Sequence, residues 1–206
     1  MTSASSEPRR AFVERVTAET RITLTLALDG QGRAQVKTGV GFFDHMLTAL
    51  THHALFDLDL AVVGDLHVDA HHTVEDTGLA MGQALDRALG ERRGIVRFGH
   101  ALVPMDEALA LVAVDLSGRP LLAWDVPRLD DAPGARLGDF DVELVREFCQ
   151  GLASAGRMTL HVRQLAGLNL HHTAEAVFKA VGRALRMAVA VDPARPDRVP
   201  STKDVL

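Results

Sequence analysis

Two segments of the chain, His71-His72-Thr73-Val74-Glu75 and His171-His172-Thr173-Ala174-Glu175, repeat one pattern of ligand-bearing side chains. On a helix, residues three and four apart share a face, so Glu75 stands on the side of His71 and His72, and Glu175 on that of His171 and His172. Adjacent histidines point about 100° apart and grip a single ion poorly. Two neighbouring ions, each taking one imidazole of a pair, is the simpler arrangement. Mixed imidazole and carboxylate donors suit Mn, Fe, Zn or Co, whereas Mg and Ca prefer oxygen throughout. The pairs fall at helix starts, where the positive end of the dipole disfavours imidazolium and keeps the neutral ring that a metal needs. His45, in FFDHML, lies on the preceding helix on the face away from Phe43 and Met46 and joins the ligand candidates. His52, His53 and His161 read as packing or supporting residues.

A second set of residues offers positive charge in constrained contexts: Arg97 in RFG, Arg119 in SGRP, Lys179 one turn beyond Glu175, and Lys203 in PSTKD. Cations converging on a metal site would receive a phosphate or carboxylate, with Arg able to grip two oxygens at once. The formal net charge of -5 argues against a nucleic-acid protein, so an anionic substrate must be met locally. Cys149 stands alone among apolar residues, which excludes an internal disulfide or a thiolate cluster and reads as core. MTSASSEPRR has no apolar stretch to serve as a signal-peptide core, and runs such as 108–114 fall far short of the roughly 20 residues needed to cross a bilayer. A cytoplasmic protein is expected.

These side chains are carried by a duplicated frame. Residues 71–89 align without a gap on 171–189, a shift of 100 residues, with nine of 19 positions identical, including Gly82 and its partner Gly182. Alternation over 21–29 predicts a half-buried strand, and DGQG at 29–32 suits a hairpin into 33–38. Helical spacing runs over 42–55, alternation returns over 57–63, and a second helix extends from about Thr73 to Leu89. The second half offers strands at 108–115, 119–126 and 157–164 and helices near 140–154 and from Thr173 to Val189. The expectation is an α+β fold of two half-domains, each a small mixed sheet packed by two helices. Residues 1–10 form a flexible N-terminus, 11–92 and 93–191 the halves, and 192–206 a tail. Residues 127–138, rich in turn formers and charge, read as a surface loop.

The motifs GFFDHML (41–47), DAHHTVEDTG (69–78), RRGIVRFG (92–99), PMDEAL (104–109), DLSGRP (115–120), TLHVRQLAG (159–167), HHTAEAVFKA (171–180) and PSTK (200–203) resemble the imidazoleglycerol-phosphate dehydratase family of histidine biosynthesis, from about Val13 onward. That resemblance implies two divalent metal ions per active site, most often Mn2+, in a homo-oligomer of 24 subunits whose neighbouring chains complete each site. It assigns the ligands to His45, His71, His72, Glu75, His171, His172 and Glu175, with Glu147 where many members have histidine. It places Arg97, Arg119, Lys179, Ser201 and Lys203 at the substrate phosphate, with the tail contributing, and adds His53 to the substrate-binding set. Glu19 is assigned to the glycerol chain and to proton transfer, with the ligand carboxylates Glu75 and Glu175 also counted with the catalytic groups. Asp204 departs from the glycine usual after PSTK. The reaction implied is loss of water from imidazole glycerol phosphate to give imidazole acetol phosphate. A metal-storage protein, indifferent to the arginines and lysines, and a metallohydrolase releasing phosphate are the competing classes.

Overall fold

The alternating apolar residues of the segment Thr20–Ala27 have one side to bury, and the chain satisfies them by building the same sheet twice. In the computed structural model, which describes residues 9–206, the first half runs β1 (Arg10–Val16), β2 (Thr20–Ala27), β3 (Ala34–Lys37), α1 (Gly41–Ala54), β4 (Asp57–Gly64) and α2 (His71–Leu89). The second runs β5 (Phe98–Met105), β6 (Ala108–Asp115), β7 (Leu121–Asp125), α3 (Pro127–Asp130), β8 (Arg136–Leu137), β9 (Phe140–Asp141), α4 (Leu144–Ala155), β10 (Thr159–Ala166) and α5 (Leu170–Val189). The sheets have strand orders β1-β2-β4-β3 and β5-β6-β10-β7, each with one parallel pair, β3 with β4 and β10 with β7. The expected α+β duplication is therefore visible in the topology itself.

Each sheet turns its apolar face to helices. Ile22, Leu24 and Leu26 of β2 and Leu58 and Leu60 of β4 are buried, as are Val112 and Val114 of β6 and Leu160 and Val162 of β10. The helices also pair across the halves, α1 with α5 and α2 with α4. The glycines shared by the repeats permit this. A Cβ on Gly82 would lie 2.6 Å from the Leu152 carbonyl oxygen, and one on Gly182 2.4 Å from that of Leu50, so only glycine lets these backbones meet. Phe148 stacks on Phe178 at 5.0 Å and meets Phe43 edge-on at 5.6 Å, fastening α4, α5 and α1 together. Cys149 lies in this layer, where burial pushes its thiol up to about 12.

Three expectations need correction. The DGQG turn does not lead into a hairpin: β3 pairs in parallel with β4 instead of folding back on β2, because β4 occupies the edge of β2. The Asp57 carboxylate stabilises the crossing by accepting the N–H groups of Gln31 and Arg33 at 2.8 and 3.0 Å. Residues 127–138 are more than a surface loop, since they contain α3 and begin the β8–β9 hairpin, with Leu129 buried. The two histidine-bearing helices begin earlier than Thr73 and Thr173, at His71 and Leu170, because Asp69 accepts the His71 N–H at 2.7 Å and the N-cap Asn169 that of His172 at 3.1 Å. The flexible N-terminus expected over residues 1–10 lies outside the described residues except for Arg9 and Arg10. Arg10 opens β1, and Arg9 pairs with Asp29.

Candidate metal centre and anion pocket

Where α1 crosses α5, three side chains converge. His45 Nε2 lies 3.8 Å and His171 Nε2 3.2 Å from Glu175 Oε2. Among the described residues these form the group of His, Cys, Asp or Glu whose donor atoms all fall within 4.8 Å of one another, the spacing a metal ion spans. Glu175 is buried while His45 is exposed, so the cluster opens outward from a fixed base. Burial opposes ionisation of Glu175. The Lys179 ammonium, 2.8 Å from Oε1, together with His45 and His171, outweighs it and holds the carboxyl below its ordinary pKa.

The internal repeat maps these three residues onto a second set of three, whose donor atoms do not converge in the same way. The left-handed residues that end α1 and α4, Leu55 at φ 54° and Arg157 at φ 49°, correspond at a shift of 102, from 55 to 157. At that shift His45 falls on Glu147. The counterparts of His45, His171 and Glu175 are therefore Glu147, His71 and Glu75, on the α4 and α2 pair. Glu147 and His71 line one cleft, together with Glu143 and Arg146. Glu75 makes no side-chain hydrogen bond or ion pair among the described residues and does not reach either neighbouring histidine.

The second histidine of each pair turns elsewhere. The His71 and His72 rings stand 89° apart, those of His171 and His172 83° apart. His72 meets Asp65 Oδ2 through Nδ1 at 3.0 Å, and its Nε2 lies 3.9 Å from Glu19 Oε1. His172 meets Glu107 Oε2 through Nδ1 at 2.7 Å, with Asp106 3.6 Å from Nε2. The hydrogen bond from His172 and those from the Asn169 and Leu168 backbones draw the Glu107 carboxyl down to about 2, and the same contact raises His172. The hydrogen bond to Asp65 raises His72 likewise.

Glu19 sits on the turn between β1 and β2, and that turn is clamped from below. Thr17 Oγ1 accepts the N–H groups of Glu19 and Thr20 at 3.2 and 2.9 Å. The Thr20 hydroxyl donates to the buried Asp76, and Arg15 binds the other oxygen of Asp76 at 2.6 Å. Asp76 directly follows Glu75, so this network ties α2 to the turn that carries Glu19.

The cations divide. Arg97, Arg119, Ser201 and Lys203 line one cavity of about 640 Å³, together with Arg195 and Arg198. Arg97 holds the tail there: its guanidinium donates to Asp115 at 2.7 and 3.2 Å and to the Pro200 carbonyl at 2.8 Å. Arg97 itself takes a left-handed backbone, φ 77°, with its N–H on the Ala188 carbonyl at 2.9 Å. Lys179 does not line this cavity, since it is bound to Glu175. His53, in the last turn of α1, is lowered first by burial and then by the charges of His52, Lys179 and Arg183.

Sequence reasoning missed Asp65, Glu107 and Asp115 as partners of site residues, and Arg195 and Arg198 as walls of the cavity. A signal existed for Glu107. The hairpins β1–β2 and β5–β6 align at a shift of 88, which sets Glu19 on Glu107, each directly before the returning strand.

A model of the imidazoleglycerol-phosphate dehydratase family matches residues 38–185. Curated relatives of that name are 58% identical over 198 residues in Gluconacetobacter diazotrophicus, covering 96% of this chain and 98% of that one, and 54% identical in Nitrosomonas eutropha, covering 96% and 100%. Two solved structures share the fold. The dehydratase of Staphylococcus aureus has a TM-score of 0.78 and 36% identity over 89% of this chain and 99% of its own. That of Pyrococcus furiosus, in complex with (S)-C348, has a TM-score of 0.77 and 39% identity over 94% and 100%.

Proposed function

The chain belongs to the imidazoleglycerol-phosphate dehydratase family, and from that premise we propose that it converts imidazole glycerol phosphate to imidazole acetol phosphate and water, in histidine biosynthesis, with two divalent metal ions, Mn2+ foremost, per active site. The observation that carries the metal dependence is the convergence of His45, His171 and Glu175 on one point. Two imidazoles and a buried, ionised carboxylate fit a borderline divalent ion. On the repeat, Glu147, His71 and Glu75 hold the second, with His72 and His172 supplying the remaining nitrogens. Those two rings face away from their own cluster, which favours sites completed between chains of a homo-oligomer, and we take the 24-subunit assembly as the form that does so. Bound there, the ions supply Lewis acidity and a template for the substrate ring.

The chain's own residues do the rest. The cavity of Arg97, Arg119, Ser201 and Lys203 receives the phosphate, and Lys179 and His53 extend positive and neutral polar groups toward the metal end. Glu19, exposed and without a hydrogen bond to its carboxylate among the described residues, takes the proton from the carbon beside the departing hydroxyl. The hydroxyl leaves as water by taking a proton in turn from the protonated Glu19, which is thereby restored, and the resulting enol becomes the ketone. Purified protein given Mn2+ and substrate forms the keto product and releases no free phosphate, and chelation stops it. Release of phosphate, or activity indifferent to chelation, overturns the reading.

Arg97 is the phosphate residue whose loss costs most. Arg97→Ala raises KM by about 10–100-fold, the loss of one or two charge-assisted hydrogen bonds, because both the guanidinium and the anchor of the tail at Pro200 go together. Steady-state kinetics at fixed Mn2+ measure it; a KM within about twofold of wild type removes Arg97 from the phosphate site.

A further inference from the structure

The carboxylates on the two matching hairpin turns are held differently. Glu19 stops 3.9 Å short of His72 Nε2. Glu107, its repeat counterpart, is fixed from two directions: Oε1 accepts the N–H groups of Leu168 and Asn169 at 3.1 and 2.8 Å, and Oε2 meets His172 Nδ1 at 2.7 Å. An ionised carboxylate only accepts, so Nδ1 carries the proton and the lone pair of a neutral ring resides on Nε2. In the first half this orienting contact comes from another place, Asp65, which accepts from His72 Nδ1 at 3.0 Å. A β-bulge between Gln164 and Ala166 moves the β4-to-β10 shift from 102 to 103, so Asp65 falls on Leu168, whose side chain is apolar and offers no acceptor.

We infer that Glu107 is a positioning residue for metal binding, which fixes the tautomer and direction of His172 so that Nε2 faces the ion, while its repeat counterpart Glu19 stays free for the reaction. The inference rests on the metal reading above. A carboxylate behind a ligating imidazole raises the ring's basicity and holds its plane, and its loss weakens metal affinity about 10–100-fold. The segment Leu168–Asn169 that donates to Glu107 directly precedes α5, with Asn169 as its N-cap, so the same carboxylate locks the turn leading into both α5 histidines.

The test is Mn2+ titration into metal-free protein, read by calorimetry and by metal content per chain. Glu107→Ala is expected to bind Mn2+ about 10–100-fold more weakly at one class of site, and Glu107→Gln, which keeps the shape, to fall between it and wild type. The variant Asn169→Ala removes the helix cap and leaves the Glu107 to His172 contact, so it keeps near wild-type affinity. Adding Glu107→Ala to His172→Ala changes nothing further. Wild-type affinity in both Glu107 variants, or an equal loss in Asn169→Ala, overturns the inference and leaves the metal reading standing. A wild-type chain that takes up no Mn2+ overturns both.

Discussion

Glu19→Gln is expected to lower kcat by about a thousandfold, within the range of general acid–base contributions, while KM moves less than about threefold. The amide keeps the size of the side chain on the turn and cannot accept the proton. A group that acts only in the transition state lowers kcat and kcat/KM together. Glu19 is no part of the His45, His171, Glu175 cluster, so Mn2+ content should be unchanged. Turnover within about tenfold of wild type would place the base elsewhere.

The largest effect on stability is expected at Asp76. Its carboxylate, 8% exposed, holds Arg15 on one oxygen and the buried Thr20 hydroxyl on the other. Removing one partner of a buried pair leaves the others unsatisfied, a loss of about 3–5 kcal/mol. Arg15 is a third exposed and recovers some hydration. Asp76→Ala should therefore sit near the lower end, about 3 kcal/mol, or a fall of about 6–12 °C in Tm at this chain length. Because the same network holds the Thr17–Thr20 turn, kcat should also fall, and more than Mn2+ affinity does. Urea denaturation and kinetics on the same preparation separate the two effects. Unchanged stability would mean that the ion pair is not formed.

How much of this was legible before any coordinates can be read from particular residues. The α2 and α5 helices were plain because their ligand and glycine positions survive duplication at a constant shift of 100. The β2 and β4 strands were plain because alternation follows from having one buried face. β1 and β5 were not: they are edge strands whose outward positions hold Arg10, Phe12 and Glu14 in one and Phe98, His100 and Leu102 in the other, so no polar face alternates against the apolar one. The DGQG turn misled because turn residues report a change of direction and not which strand is met next. The metal candidates were legible from side-chain type. Their partners Asp65 and Glu107 were hidden by the segment between β7 and α4, which carries α3 and the β8–β9 hairpin and changes the repeat shift from 88 to 102, so that a search at one shift finds only the helices.

The pairing of α1 with α5 and of α2 with α4 has a consequence for descent. The His45, His171, Glu175 cluster and its repeat-matched set Glu147, His71, Glu75 each draw on one helix from each half, so neither half, cut free, owns either set complete. A single-copy ancestor with this sheet and helix pair could have assembled the site only by meeting a second copy of itself. Fusion would make that encounter permanent and leave the two copies free to diverge: His45 stands where its twin is Glu147, and on the proposed function one turn glutamate serves as the acid–base group and the other as a brace.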